Sequence, residues 1–236
     1  MKNLIFRGAD VTMARETNPL QIIRFDGRDC FMEVLNTGFN IGKVYMNFIT
    51  YDQNKKAGER YTAKIPIYMD IDKFLVLSAD IMSGKIHKLA ENEKAKGAKY
   101  PGKIFDDMGG TPAESLKQRG IEREDGMSES RVLKLLPGSK LPFLFQAELG
   151  KGEKNDKGLI VPRYGTSPEQ LVRIPMQGDD LKRFALVVKT HIDAYITAKY
   201  SNEQSEKTLK ELKETSKKLE ELITKLTKTD TGNSKK

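Results

Sequence analysis

The chain contains two passages that match each other in order and spacing. Residues 65–74 read IPIYMDIDKF and residues 174–184 read IPMQGDDLKRF. Each opens with Ile-Pro and reaches an Asp five residues after its Ile, at Asp70 and Asp179. Each then runs into an apolar pattern of helical period, FLVLSADIMSGKI in the first and FALVVKTHIDAYI in the second. One inserted residue keeps the second in step. Short strand-like runs precede both. The match reads as one piece of supersecondary structure used twice, the alternative being the ordinary punctuation of a strand end and a helix start; as a duplication it constrains the fold more than any other feature of the chain.

The runs upstream of the first Ile-Pro read as four strands. Residues 20–25 (LQIIRF) end at Asp26-Gly27, a hairpin signal. Residues 30–35 (CFMEVL) follow, ending before Asn36-Thr37-Gly38. Residues 43–51 alternate, with Val44, Met46 and Phe48 on one face and Tyr45, Asn47 and Ile49 on the other. Residues 60–69 set Tyr61, Ala63, Ile65 and Ile67 against Thr62, Lys64 and Pro66. A helix is expected over 72–90, with Asp70 or Asp72 as its cap.

The second unit repeats the order, with strands at 130–136, 142–149, 159–161 and 170–176 and a helix over 179–200. Residues 91–128, rich in Lys, Gly, Asp and Glu, read as a linker or mobile insertion. The expected fold is α+β. Two tandem four-stranded antiparallel sheets, each followed by a helix, occupy 19–90 and 129–201, and a C-terminal segment covers 202–236. In that segment Leu209, Leu212, Ser216, Leu219, Ile223 and Leu226 are spaced as a heptad seam. It reads either as an oligomerisation or docking helix or as one that packs back on its own domain. Residues 1–18 read as poorly ordered or edge-like, and the last ten residues as disordered.

Composition narrows the function. The single cysteine, Cys30, excludes a disulfide framework and a cysteine-based zinc site, and reads as a small buried apolar residue. No apolar run is long enough to span a membrane, and the N-terminus lacks the apolar core of a signal peptide, so a cytoplasmic setting is the default. The net charge is +8. Residues 203–236 hold nine Lys against seven acids, so most of the excess lies elsewhere. Such a balance attracts polyanions, nucleic acid first.

No glycine-rich phosphate loop, dinucleotide fingerprint or His-Glu-x-x-His pattern is present, and no catalytic, cofactor or metal site is expected. Asp106 and Asp107, before Met108-Gly109-Gly110, read as a solvated loop, with a magnesium-dependent nuclease as a distant alternative. His87 and His191 fall at different places in the two repeats and read as packed or solvent-facing residues.

A sheet covered by one helix leaves its other face open. On the first sheet that face carries Tyr45, Asn47 and Lys64, with Lys43 and Tyr51 at the ends of the third strand. The second unit offers Arg131, Lys134, Phe143, Phe145, Arg163, Tyr164 and Arg173, with Phe143 and Phe145 equally readable as core. Rings that stack on bases and cations that follow phosphates are what a single-stranded nucleic-acid site requires. The expected contacts are Lys43, Lys64, Arg131, Lys134 and Arg173 to phosphates, with Tyr45, Tyr51 and Tyr164 to bases.

On the passages IPIYMDIDKFLVLSADI and IPMQGDDLKRFALVVKT, a tandem of four strands and a helix resembles the Whirly family of single-stranded DNA-binding proteins. The unduplicated unit is similar to the positive-cofactor-four coactivator family. The resemblance spans residues 20–90 and 130–200 and lies in element order. The Lys-Gly-Lys-Ala strand motif of the Whirly family is absent, and the linker and heptad segment depart from the family pattern. The resemblance implies sequence-tolerant binding of single-stranded DNA across the sheets, with oligomerisation through helices, in replication, recombination or transfer. A bacteriophage or mobile-element protein suits this character. Single-stranded RNA binding, or a protein-interaction module docking through the C-terminal helix, is the alternative.

Overall fold

The structure, a computed structural model, describes residues 18–232 except Ala57, with side chains to Glu221. The expectations for residues 1–17 and 233–236, and for the side chains of Ile223 and Leu226, lie outside the described residues. The chain divides into two units between Lys189 and Thr190.

The first sheet is β1 (Gln21–Asp26), β2 (Cys30–Leu35), β3 (Lys43–Tyr51) and β4 (Tyr61–Asp70), antiparallel in that order. Its inner face is apolar because alternate residues are Val44, Met46 and Phe48 on β3 and Ile65, Ile67 and Met69 on β4, all buried. The expected helix over 72–90 is two helices, α1 (Ile71–Met82) and α2 (Lys85–Ala95). The break is at Ser83-Gly84. Gly84 sits at φ 79, a left-handed conformation that a side chain disfavours and that ends the run of α1. Asp70 occupies the N-cap position of α1 but makes no capping bond. Its carboxylate instead accepts from Lys43 Nζ.

Residues 91–128 are not a linker. They hold the end of α2, then β5 (Phe105–Thr111) and α3 (Ala113–Gln118). β5 pairs with β6 (Ser128–Pro137) and is the first strand of the second sheet. β6 pairs with β7 (Phe143–Lys154), whose other edge carries β9 (Gln170–Met176) and, further along, the short β8 (Ile160–Pro162). The second sheet therefore has five strands rather than four, and its first was hidden by the low apolar content of FDDMGGT. β7 also runs further than 142–149. Its Gly152, with Gly110 of β5, lets Ile160 pack close: an added Cβ would lie 2.7 and 2.5 Å from the Ile160 methyl.

The registers of the two sheets correspond. Across the first sheet Phe25, Met32, Phe48 and Ile65 stand opposite one another in a row. Across the second, Phe105, Leu135, Phe145 and Ile174 form the same row. The Ile of each Ile-Pro thus faces the Phe of the strand beside it. The two inner faces share one core. The Phe48 and Phe145 rings meet edge-on, and Phe184 at the start of α4 (Gly178–Gly232) meets Phe25, Phe74 and Phe145. Ser78 Oγ of α1 donates to the Ala185 carbonyl at 3.2 Å. Phe143 and Phe145 are core residues, so neither belongs to a binding face.

The helix expected over 179–200 and the heptad segment are one helix, α4, which continues through residues 227–232. In the second unit Leu209, Leu212 and Leu219 are exposed.

Candidate nucleic-acid interface

The outer face of the first sheet carries two groups of rings at opposite ends of the β3–β4 ribbon. At one end Tyr45 and Tyr68, opposite each other in register, stack with centroids 4.6 Å apart and planes 4° from parallel. Burial, and then the neighbouring Tyr68, push the Tyr45 phenol above its ordinary range, so it is neutral. Tyr68 is 43% exposed.

At the other end Phe31 forms the floor. The Arg24 guanidinium lies over its ring, 3.6 Å from the centroid, and is held by Asp26. Tyr51 and Tyr61 flank Phe31 at 6.0 and 6.1 Å. With Gln53 and Arg60 these residues line a cavity of about 620 Å³. Tyr61 is here because β4 carries a bulge. Tyr51 pairs with Tyr61 while Thr50 pairs with Ala63, so Thr62 is the extra residue. The bulge turns the Tyr61 ring from the core side, where strict alternation places it, to the outer side beside Phe31.

Between the two ends lie Lys64, exposed on β4, and Asn47, buried on β3. Asn47 Nδ2 donates to Glu33 Oε1 at 3.1 Å. From Tyr45 to Tyr51 the ribbon runs about 20 Å at the usual rise per strand residue.

No family model, no curated protein and no solved structure matches this chain.

Four of the nine sequence-derived residues, Tyr45, Asn47, Tyr51 and Lys64, thus share one surface. Lys43 starts β3 but turns to Asp70. It lines a cleft of about 390 Å³ with Arg131, Lys73 and Asp107. Arg131 and Lys134, three apart on one strand, point to opposite sides. The Arg131 guanidinium bonds Glu129 and Thr111 Oγ1, the latter at 3.0 Å. Both cations of the cleft that were expected to hold phosphate are therefore matched by carboxylates.

The outer face of the second sheet differs in kind from the first. Phe31, Ile49 and Tyr51 are replaced at equivalent register positions by Lys134, Gln146 and Glu148. Lys134 Nζ bonds both Glu148 oxygens, at 2.7 and 2.8 Å. Gln146 donates to the same carboxylate and accepts from Arg173 Nε at 2.7 Å. Only one cation recurs in both sheets: Lys64 and Arg173 each precede the Pro of Ile-Pro by two residues. Tyr164 lies in the loop between β8 and β9 and is 95% exposed.

That loop is latched. Arg123 bonds Glu169 through both terminal nitrogens, at 2.9 and 2.6 Å, and also bonds Asp125. The Arg123 guanidinium draws the Glu169 and Asp125 carboxyls below their ordinary range. Asp106 and Asp107 lie in a strand, not a loop, and alternate across it. Each bonds a lysine, Lys103 and Lys73, at 2.6 and 2.9 Å. Among the described residues no group of three or more His, Cys, Asp and Glu is placed to hold a metal, and no helix is long and apolar enough to cross a membrane.

Sequence reading missed Arg24, Phe31, Tyr61 and Tyr68. Tyr68 shares its parity with Lys64 and Pro66 and was legible. Tyr61 was not, because nothing in RYTAK announces the bulge.

Proposed function

We propose that the chain binds single-stranded nucleic acid, DNA first, across the outer face of its first sheet. The observation that carries this reading is the pairing of two ring clusters, Tyr45–Tyr68 and Phe31–Tyr51–Tyr61, on one face of the β3–β4 ribbon, with Tyr61, Lys64 and Tyr68 exposed along β4. Bases stack on such rings with little regard to sequence, at about 1 to 3 kcal/mol each. Lys64 and the net charge of +8 attract the phosphates. Coating of strands exposed in replication, recombination or transfer is the role this chemistry suits.

The test is fluorescence anisotropy of a labelled oligo-dT of about 30 nucleotides at two salt concentrations, with duplex DNA and RNA as competitors. The expected result is tight, salt-sensitive binding that duplex competes for poorly. Better competition by RNA would make RNA the ligand, and absence of binding at low salt would remove the reading.

A second reading rests on the exposed Leu209, Leu212 and Leu219 of α4. These residues fit a helix that docks a partner or a second copy. Deleting residues 203–236 separates the two. Loss of assembly with DNA affinity intact assigns α4 to assembly alone; loss of all binding makes α4 the functional element.

A further inference from the structure

We infer that the cavity over Phe31 is a purine-selective station on an otherwise sequence-tolerant track. The inference rests on the nucleic-acid reading above.

The cavity is built from Arg24, Phe31, Tyr51, Gln53, Arg60 and Tyr61. Its aromatic wall is Tyr61, a residue 63% exposed that meets Phe31 edge-on and lacks the parallel stacking partner that Tyr45 finds in Tyr68. A base entering the cavity has this ring to lie on. The Phe31 face is already occupied by Arg24, and Arg24 is itself committed to Asp26. Besides the Tyr51 and Tyr61 hydroxyls, two polar side chains remain among the lining residues, Arg60 and Gln53. Arg60 donates its Nε to the Lys55 carbonyl at 3.1 Å, a bond that leaves its two terminal nitrogens for a ligand. Gln53 supplies an amide, one donor and one acceptor side.

These two groups prefer the same kind of edge. A guanidinium makes its bidentate contact with O6 and N7 of guanine, and a glutamine amide with N6 and N7 of adenine. Both contacts need N7, which pyrimidines lack. A purine therefore satisfies one rim group while stacking on Tyr61, whereas thymine or cytosine gains the stacking alone. At the Tyr45–Tyr68 end Lys43 is turned to Asp70, and Asn47 is buried and bonded to Glu33. The second sheet has no counterpart either, because Lys134 and Glu148 stand where Phe31 and Tyr51 would be.

The experiment compares 30-nucleotide oligo-dT strands that carry one central dG, dA, dC or no replacement, at one salt concentration. The expected result is binding of the dG and dA strands about fivefold tighter than the dC and all-dT strands, the lower end of what one bidentate base contact provides. In the double variant Arg60→Ala, Gln53→Ala the ratio between purine and pyrimidine strands falls to about one, whatever its affinity for oligo-dT. Equal affinity of all four strands for the unaltered protein, or a purine preference that survives in the double variant, overturns the inference while leaving the nucleic-acid reading intact. Failure of every strand to bind at low salt overturns both.

Discussion

Phe48 and Phe145 hold corresponding register positions in the two sheets, and their rings meet edge-on across the shared core with centroids 6.5 Å apart. Each is fully buried, and each faces the Ile of an Ile-Pro pair, Ile65 and Ile174. The two Ile-Pro passages thus take corresponding places in the packing. Neither sheet completes its core without the other.

Truncating either ring opens a cavity where the two halves meet. Phe48→Ala and Phe145→Ala should each cost about 3 to 5 kcal/mol, measured by urea unfolding. Because the rings touch, the double variant should depart from additivity by about 0.5 kcal/mol or more. Additive costs would mean that the two halves are independent.

Stacking predicts an even loss across sequences. Tyr61→Ala and Tyr68→Ala should each weaken oligo-dT and oligo-dC binding alike, by about 1 to 3 kcal/mol. Leu171→Ala, on the outer face of the second sheet, should leave affinity unchanged. A loss confined to one sequence would replace the stacking account with base reading.

The cations differ in what they have to offer. Lys64 is exposed, whereas Lys43 is held by Asp70. Removing one phosphate contact to a single strand lowers the slope of log K against log salt by about 0.7. Lys64→Ala should show that change. Lys43→Ala should show a smaller one, measured in the same salt titration.

The sequence carried the inner faces of the sheets well and the outer faces only partly. Val44, Met46 and Phe48 alternate strictly, and burial enforces what alternation suggests. β5 was missed because an edge strand with two carboxylates and two glycines lacks the apolar period that marks a strand. The break at Gly84 was hidden in an unbroken apolar pattern, since a single glycine is tolerated in many helices. Tyr61 was assigned to the wrong side because a bulge shifts parity without leaving a composition signal. The pairing of Lys134 with Glu148 and of Lys43 with Asp70 depends on register between strands, which alternation within one strand does not reveal.

The Arg123 latch gives a pH dependence of known sign. Folding lowers the carboxyl pKa of Glu169 and Asp125 beneath their ordinary values. The stability they contribute is fully present above the ordinary carboxylate range, and is lost as pH falls through the folded values. Amide exchange in residues 163–169 should therefore accelerate on going from pH 6 to pH 3, after correction for intrinsic rates. Arg123→Ala should exchange at the fast rate at both pH values. An acid response unchanged by that substitution would remove the latch.

Photo-crosslinking locates a single strand bound to the outer face of the first sheet. Oligo-dT crosslinked by ultraviolet light and mapped by mass spectrometry should mark residues among Phe31, Tyr45, Tyr61 and Tyr68. Crosslinks confined to the second sheet or to α4, in a complex that forms normally, would contradict that placement.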